Sequence, residues 1–401
     1  MTEGDSRNVV PDLYQGKEQA YIKHCLLESY LEKLFLIIGN SASRLRLTEI
    51  CYVDCFAGPW SSESDDLSDT SIGVSLRILK KCQDSLHAHG ISVKFRALYV
   101  EKDQESFQRL ENFLRERAPA GIQAKAFNGD FVELRSKILD WCGESAFVFF
   151  FIDPKGWSQV SINTLRPLLR RRRSEFLINF MYDFVNRTAS MADWKDEISE
   201  LLGESIDAAG LNPESREKLL LSTYRKNLKG ELPVDVQWKP RSGYVRVLDR
   251  AKERPKYHLV YLTTHPRGVV EFMEISEGID QIQKQIRAST KHAARSAKTG
   301  MDDMFGSETF IDDRDGHADE TVVMQHWRQC LAGGVVKVIG EENFANMLEQ
   351  TDWFPGDFQR ALIRLIDAGE VENLDAKGRR TKKPLHWEGV GERLKLVGGQ
   401  K

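Results

Sequence analysis

Four apolar runs, each closed by an acidic residue, constrain this chain more than any other feature. ICYV (50–53) ends in Asp54, VKFRALYV (93–100) in Glu101, IQAKAF (122–127) in Asn128-Gly129-Asp130, and AFVFFFI (146–152) in Asp153-Pro154. Between them lie segments with helical spacing of apolar residues, such as Ile72, Leu76 and Leu79, or Phe131, Leu134 and Ile138. Another helical segment (17–38) precedes the first run, and EFLINFMY (175–182) supplies a fifth strand. Strands that are apolar throughout are buried on both faces, which predicts a parallel sheet covered by helices. Ligands of such open α/β sheets bind at the C-terminal ends of the strands, where all four acids stand. Residues 190–230 read as helical. GYVRVL (243–248) and YHLVYLTTH (257–265) then read as an antiparallel hairpin, and a helix follows from about 268 to 298.

A chain of 401 residues exceeds what a single core of roughly 250–300 residues spans, so two domains are expected. The acidic, aperiodic stretch 299–319 is taken as a linker between residues 1–298 and 320–401. The last part changes style. Two short helices precede a third (PGDFQRALIRLIDAGEVENL), and VENLD, AKGRRTKK and PLHWEG then read as a two-stranded wing. That order is the winged helix-turn-helix order. The fold expectation is therefore an α/β unit followed by a C-terminal winged helix-turn-helix domain.

The formal net charge of −3 gives no global attraction to nucleic acid. The six cysteines form no CxxC pair and lack metal-ligand spacing, so no metal is expected and reduced thiols point to a cytoplasmic location. No signal-peptide pattern and no membrane-length apolar run is present.

Each acid alone is an ordinary turn or helix N-cap residue. Together they suit a nucleoside-bearing cofactor. After Asp54, the segment Phe56-Ala57-Gly58 lets the backbone approach a ligand, with Phe56 packing against it. Glu101 is placed to accept hydrogen bonds from two ribose hydroxyls, Asp130 from an adenine amino group. Asp153 and Pro154 face the substrate. No phosphate-cradling GxxxxGK[ST] run occurs.

YVDCFAGP, YVEKD, NGD and FFFIDPKGW resemble the successive motifs of class I methyltransferases, which implies a Rossmann-like sheet and S-adenosylmethionine as cofactor. More narrowly, Lys23-His24, Tyr30-Leu31, DCFAGP (54–59), EKD (101–103), GD (129–130), DPKGW (153–157) and TTHPRG (263–268) resemble the three-Cys-motif partner (TcmP) family. That resemblance spans roughly the first 290 residues. It implies a methyltransferase-like fold and a partner protein of the three-cysteine, radical type. Two departures stand out. Trp60 occupies the place of the motif's second Gly and narrows the pocket. Lys155-Gly156 replace Pro-aromatic in the fourth motif, leaving Trp157 either to stack on an acceptor base or to pack on the following helix.

Three basic clusters bear on nucleic acid. Arg170–Arg173 end a predicted helix, where the helix dipole favours them. Lys284, Arg287, Lys291, Arg295 and Lys298 recur at helical spacing. Lys377, Arg379, Arg380, Lys382 and Lys383 lie on the expected wing, where phosphate contacts are common. His24 and His265 are taken as structural. The expected function is methylation of an amino group on nucleic acid. Phe56, Gly58, Glu101 and Asp130, with Asp54, would hold the cofactor, and Asp153, Pro154 and Trp157 the acceptor. The alternative is a catalytically silent member that binds nucleic acid beside its partner protein.

Overall fold

The apolar runs form the interior strands of one large sheet. The structure is a computed structural model that describes residues 10–58, 62, 64, 66–189, 191–234, 237–250, 252, 254–299, 307–311 and 316–397. Helices α1 (Glu18–Asn40) and α2 (Ala42–Leu45) lead into β1 (Glu49–Asp54). Strand and helix then alternate: α3 (Ser71–Ala88), β2 (Lys94–Glu101), α4 (Gln104–Arg117), β3 (Ile122–Asn128), α5 (Phe131–Cys142), β4 (Phe147–Ile152), α6 (Ile162–Leu169) and β5 (Ser174–Phe180). Helices α7 (Tyr182–Thr188), α8 (Lys195–Leu202) and α9 (Pro213–Glu231) connect to the hairpin of β6 (Arg241–Leu248) and β7 (Pro255–Thr263). The long α10 (Pro266–Thr299) follows.

The seven strands lie in the order β3-β2-β1-β4-β5-β7-β6. Strands β1 to β5 are parallel, while β7 runs antiparallel to both β5 and β6. The chain builds outward from β1 to β3 and then crosses back to β4. The strand order therefore reverses between β1 and β4, and a crevice forms at such a switch point.

Side chains alternate between the two faces of the sheet. Tyr52, Tyr99, Phe149 and Leu177 pack with α1, α3 and α10 on one face; Val53, Phe150, Ile152 and Ile178 pack with α5, α6, α8 and α9 on the other. All six residues of the central β4 are buried. Each buried Phe is worth about 1.5–3 kcal/mol over an exposed one, so this strand holds its place strongly.

The C-terminal part comprises α11 (Glu320–Cys330), β8 (Lys337–Ile339), α12 (Glu341–Thr351), α13 (Pro355–Asp367), β9 (Val371–Asn373) and β10 (Glu392–Leu396), with a small antiparallel sheet in the order β8-β10-β9. One strand expectation fails here. PLHWEG (384–389) is not the partner of β9; β10 is. Leu385 has both its backbone N–H and its carbonyl bonded to the side chain of Gln359 on α13, and Leu385 and Trp387 are buried. The apolar pair anchors a loop to a helix, and ERLKL supplies the alternating strand. Gly391 makes the crossing possible. Any side chain there would lie 2.3 Å from the carbonyl oxygen of Ile339, and its φ is +72°.

This part shares its core with the large sheet: Trp327, Phe344 and Phe358 belong to the same apolar cluster as α1 and α10. Ion pairs reinforce the join. Arg241 on β6 is fully buried and donates to Glu349 (2.7 Å), Asn346 (3.1 Å) and Glu342 of α12. Arg225 of α9 holds Asp352 in a two-pronged contact at 2.8 and 2.9 Å. Of the expected linker, Ser307–Phe310 form a 3-10 turn, and His317 and Ala318 hydrogen-bond the carboxylate of Asp357; residues 300–306 and 312–315 lie outside the described residues. Among the described residues no helix is long and apolar enough to cross a membrane.

Candidate functional site

Because β1 to β5 are parallel, Asp54, Glu101, Asp130 and Asp153 all stand at one edge of the sheet. The loop after β1 is fixed to both of its neighbours. The Cys55 N–H donates to the Phe151 carbonyl of β4, and the Ala57 N–H to the Val100 carbonyl of β2, both at 2.9 Å. This lays Phe56-Ala57-Gly58 across the end of β2, beside Glu101. The Phe56 ring packs on Phe131 with centroids 4.9 Å apart. Gly58 takes a left-handed φ of +71°, which a side chain would strain. Trp60, expected to narrow this space, lies outside the described residues.

The four acids differ in what already holds them. Asp54 is fully buried and accepts from the Ser71 hydroxyl (2.6 Å) and the Phe56 N–H (3.1 Å). Burial pushes its carboxyl up to about 6. The Ser71 and Phe56 hydrogen bonds oppose that rise, and the nearby charge of Asp153 adds to it. Asp130 caps α5 by accepting from the Val132 N–H (2.8 Å), and it pairs with Lys102 (2.9 Å), whose hydrogen bond holds its carboxyl below the usual carboxylate range. One of its oxygens therefore serves the helix.

Glu101 is different. Its Oε1 accepts from the Asp103 N–H (2.8 Å), while Oε2 is buried and has no hydrogen-bond partner. A buried acceptor left unmatched costs about 1–3 kcal/mol, more when charged. Such an oxygen in a native chain calls for a donor that the chain itself does not supply.

At the switch point, Asp153 is already engaged. Lys23 of α1 pairs with its Oδ2, and the Asn179 side-chain amide donates to its Oδ1 at 2.7 Å. Pro154 is buried, and the Trp157 ring stacks on Phe184 (centroids 5.6 Å, 23°) and meets Trp194 edge-on (5.9 Å). Here Trp157 packs against α7 and Trp194. His24 is buried against the Tyr14 hydroxyl (3.0 Å), and burial pushes it down to about 3, so it is neutral and structural. Asn179 and the Lys23–Asp153 pair escaped the sequence reading. The one available signal was a lone amide in the apolar run EFLINFMY; the lysine contact spans 130 residues and leaves no local trace.

Some members of the basic clusters are met by the chain's own acids. On α10, Lys284 and Arg287 are buried, Lys284 beside Asp280 (2.9 Å), so the stripe is not one solvated face. Lys291 is half-buried, and the exposed Arg295 lies over the Phe310 ring at 5.9 Å. Near β9, Arg379 grips Asp367 (3.0 and 2.9 Å), Arg380 pairs with Glu392 (2.7 Å) and Lys383 lies 3.8 Å from Glu274; Lys377 and Lys382 are exposed.

No family model matches this chain, and no curated protein matches it. Among solved structures, similarity extends to a putative methyltransferase from Escherichia coli (14% identity, 58% of this chain and 84% of that one, TM-score 0.26). It extends also to precorrin-6y C5,15-methyltransferase from Geobacter metallireducens GS-15 (12%, 58% and 86%, TM-score 0.26) and to loganic acid methyltransferase with SAH (10%, 100% and 99%, TM-score 0.25). At these scores the functional reading has to come from this chain's own residues.

Proposed function

We propose that this chain binds S-adenosylmethionine at the β1–β2 edge and belongs, by its motifs, with the TcmP-like members of the class I methyltransferase fold. The observation that carries the reading is the buried, unmatched Oε2 of Glu101 beside the loop Phe56–Gly58. A ribose hydroxyl would match it. Phe56 would pack on the adenine, and Asp130, whose two oxygens cap α5 and pair with Lys102, would accept from an amino group in exchange for the exposed Lys102. The hairpin β6–β7 after β5 agrees with this reading, being the terminal feature of a class I methyltransferase sheet. When bound, the cofactor supplies an electrophilic methyl group on a sulfonium. The protein's part is then to position an acceptor nitrogen in line with it.

For the acceptor, we propose an amino group on nucleic acid, with Asp153 and the Pro154 carbonyl taking its hydrogens. In this reading residues 1–298 form the catalytic unit and 299–319 the linker. Residues 320–401 are a winged-helix domain with Lys377, Arg379, Arg380, Lys382 and Lys383 toward phosphate, and Lys291 and Arg295 extend that surface. One observation favours the silent alternative, in which the chain serves as partner of a three-cysteine protein. Lys23 already occupies Asp153, and an acceptor amine would have to displace it.

Calorimetric titration with S-adenosylmethionine and S-adenosylhomocysteine tests the first part. Micromolar affinity is expected for the wild type, with a loss of at least about tenfold in Glu101→Gln, since 1.4 kcal/mol is a factor of ten. Equal affinity in the variant would remove the ribose assignment, and absence of binding in the wild type would remove the cofactor. Labelled methyl transfer to DNA and RNA then separates the active from the silent reading.

A further inference from the structure

A wide cleft among the described residues opens at the opposite edge of the sheet, where the parallel strands begin. Its volume, 1550 Å³, exceeds the ~300–1,000 Å³ of sites for single small molecules. One wall is the end of α1 with α2, carrying Arg44 and Arg46. The other is the turn between α6 and β5, which holds Arg170–Arg173. Trp238 and His265 line it as well.

The arginine turn is built, not loosely solvated. The Arg171 guanidinium donates to the carbonyls of Gly143, Ala146 and Arg172 and to the Ser174 hydroxyl, so this one side chain ties the turn together. Its neighbours Arg172 and Arg173 are exposed, as are Arg44 and Arg46 opposite; Arg173 also donates to the Ser145 carbonyl (3.0 Å) and Arg44 to the Ser41 hydroxyl (3.2 Å). Arg46 and Arg173 both adopt left-handed backbone, φ +50° and +55°, and they are two of only four non-glycine residues to do so among the described residues. Such conformations cost of order 1–3 kcal/mol and concentrate at functional surfaces.

Eight basic side chains line the cleft against four acidic ones; two of the acids are already satisfied, and of the bases Arg170 pairs with Glu231 outside the lining (3.0 Å). Glu271 is held by Lys33 and Arg267 at 3.1 Å each, and the buried Glu175 accepts from the hydroxyls of Tyr30, Tyr261 and Thr263. The surface is therefore electropositive. It also offers an aromatic platform, because the half-buried Trp238 is braced by His265 with centroids 4.7 Å apart. Burial pushes His265 down to about 4, so the brace is uncharged at neutral pH.

We propose that this cleft binds single-stranded nucleic acid, the phosphates lying along Arg44, Arg46, Arg172 and Arg173 and a base stacking on Trp238. A cationic groove with an aromatic platform is how single strands are held without reading sequence. A duplex keeps its bases stacked on one another and cannot present a ring face to Trp238. The proposal does not depend on the cofactor reading: the cleft and the crevice occupy opposite edges of the sheet, and a silent protein would bind through it equally.

Fluorescence anisotropy tests this, using the full chain and a labelled oligonucleotide of about 12 nucleotides, within the range of single-strand sites. The single strand is expected to bind at least tenfold more tightly than the same sequence as duplex. Arg44→Glu/Arg46→Glu/Arg172→Glu should weaken binding more than tenfold and reduce the slope of log K against log salt by about 2, since each single-strand phosphate contact contributes about 0.7. Trp238→Ala should lose about tenfold, with Trp238→Phe restoring most of it. Thermal unfolding of each variant controls for folding. No binding by the wild type, equal binding of duplex, competition by polyglutamate as effective as by oligonucleotide, or a folded triple variant of undiminished affinity would each overturn the proposal. Titration with S-adenosylhomocysteine reads the crevice separately, so either idea can fail alone.

Discussion

Asp54 shows how a single residue couples the crevice to the stability of the whole sheet. Its carboxyl is fully buried, and its proton is held to about 6 instead of the ordinary 3.8. Below the ordinary value both folded and unfolded chains carry the proton. Between there and about 6 the folded chain binds it more tightly, so stability falls as pH rises, and above 6 the penalty is constant. A rise of about two units corresponds to about 3 kcal/mol. Asp54→Asn keeps the two shorter hydrogen bonds, because its amide oxygen accepts from Phe56 N–H and its nitrogen donates to Ser71, and gives up only the long contact from the Tyr52 hydroxyl (3.5 Å). The variant should therefore gain about 3 kcal/mol on the wild type between pH 4 and pH 7. Urea midpoints across that range measure the difference, and other groups that titrate there, such as the buried histidines, cancel in it. Parallel curves would mean that Asp54 titrates alike in the folded and unfolded chain and that burial does not raise its carboxyl.

At the scale of the element, the four strand-end acids look alike in sequence and differ in duty. Asp130 caps α5, while Glu101 caps no helix and keeps an oxygen unmatched. Serine preserves a cap that alanine lacks. Asp130→Ala should cost about 1 kcal/mol in unfolding experiments and Asp130→Ser no more than a few tenths. Both should weaken S-adenosylhomocysteine binding if Asp130 also meets the adenine; full affinity in the serine variant would confine the residue to its helix. The strands themselves were readable because two-sided burial demands unbroken apolar runs, and β4 is the clearest case. Local pattern misled where an apolar run served another purpose. In PLHWEG, Leu385 and Trp387 look like strand residues and instead anchor a loop through Gln359. Spacing had no means of finding Lys23 on Asp153, or the arginine turn facing Arg44 and Arg46, since both arise only when segments more than a hundred residues apart meet.

For the molecule as a whole, the question is whether the C-terminal helices are an appendage or part of the same cooperative unit. The apolar cluster runs without interruption from α1 and α10 into Trp327, Phe344 and Phe358, which argues for one unit. The buried Arg241 decides how firmly it is joined. Its guanidinium faces Glu349, which also accepts the Ser242 N–H at 2.9 Å, so the pair fixes α12 to the edge strand β6. Removing one partner of a buried pair strands the other charge at a cost of about 3–5 kcal/mol, and here that is the upper bound, because Lys229 of α9 also pairs with Glu349 at 3.3 Å. Arg241→Met should therefore lower stability by up to that amount, and Arg241→Met/Glu349→Gln should recover part of it, because glutamine still accepts from Ser242 and carries no charge while the partly exposed Lys229 turns to solvent. If the two parts fold together, the single variant shifts one transition, and amide exchange in α12 and α13 accelerates in step with β1. An early exchange phase confined to α11–α13, with β1 untouched, would show that the C-terminal part opens on its own and that the shared core is too weak to enforce cooperativity.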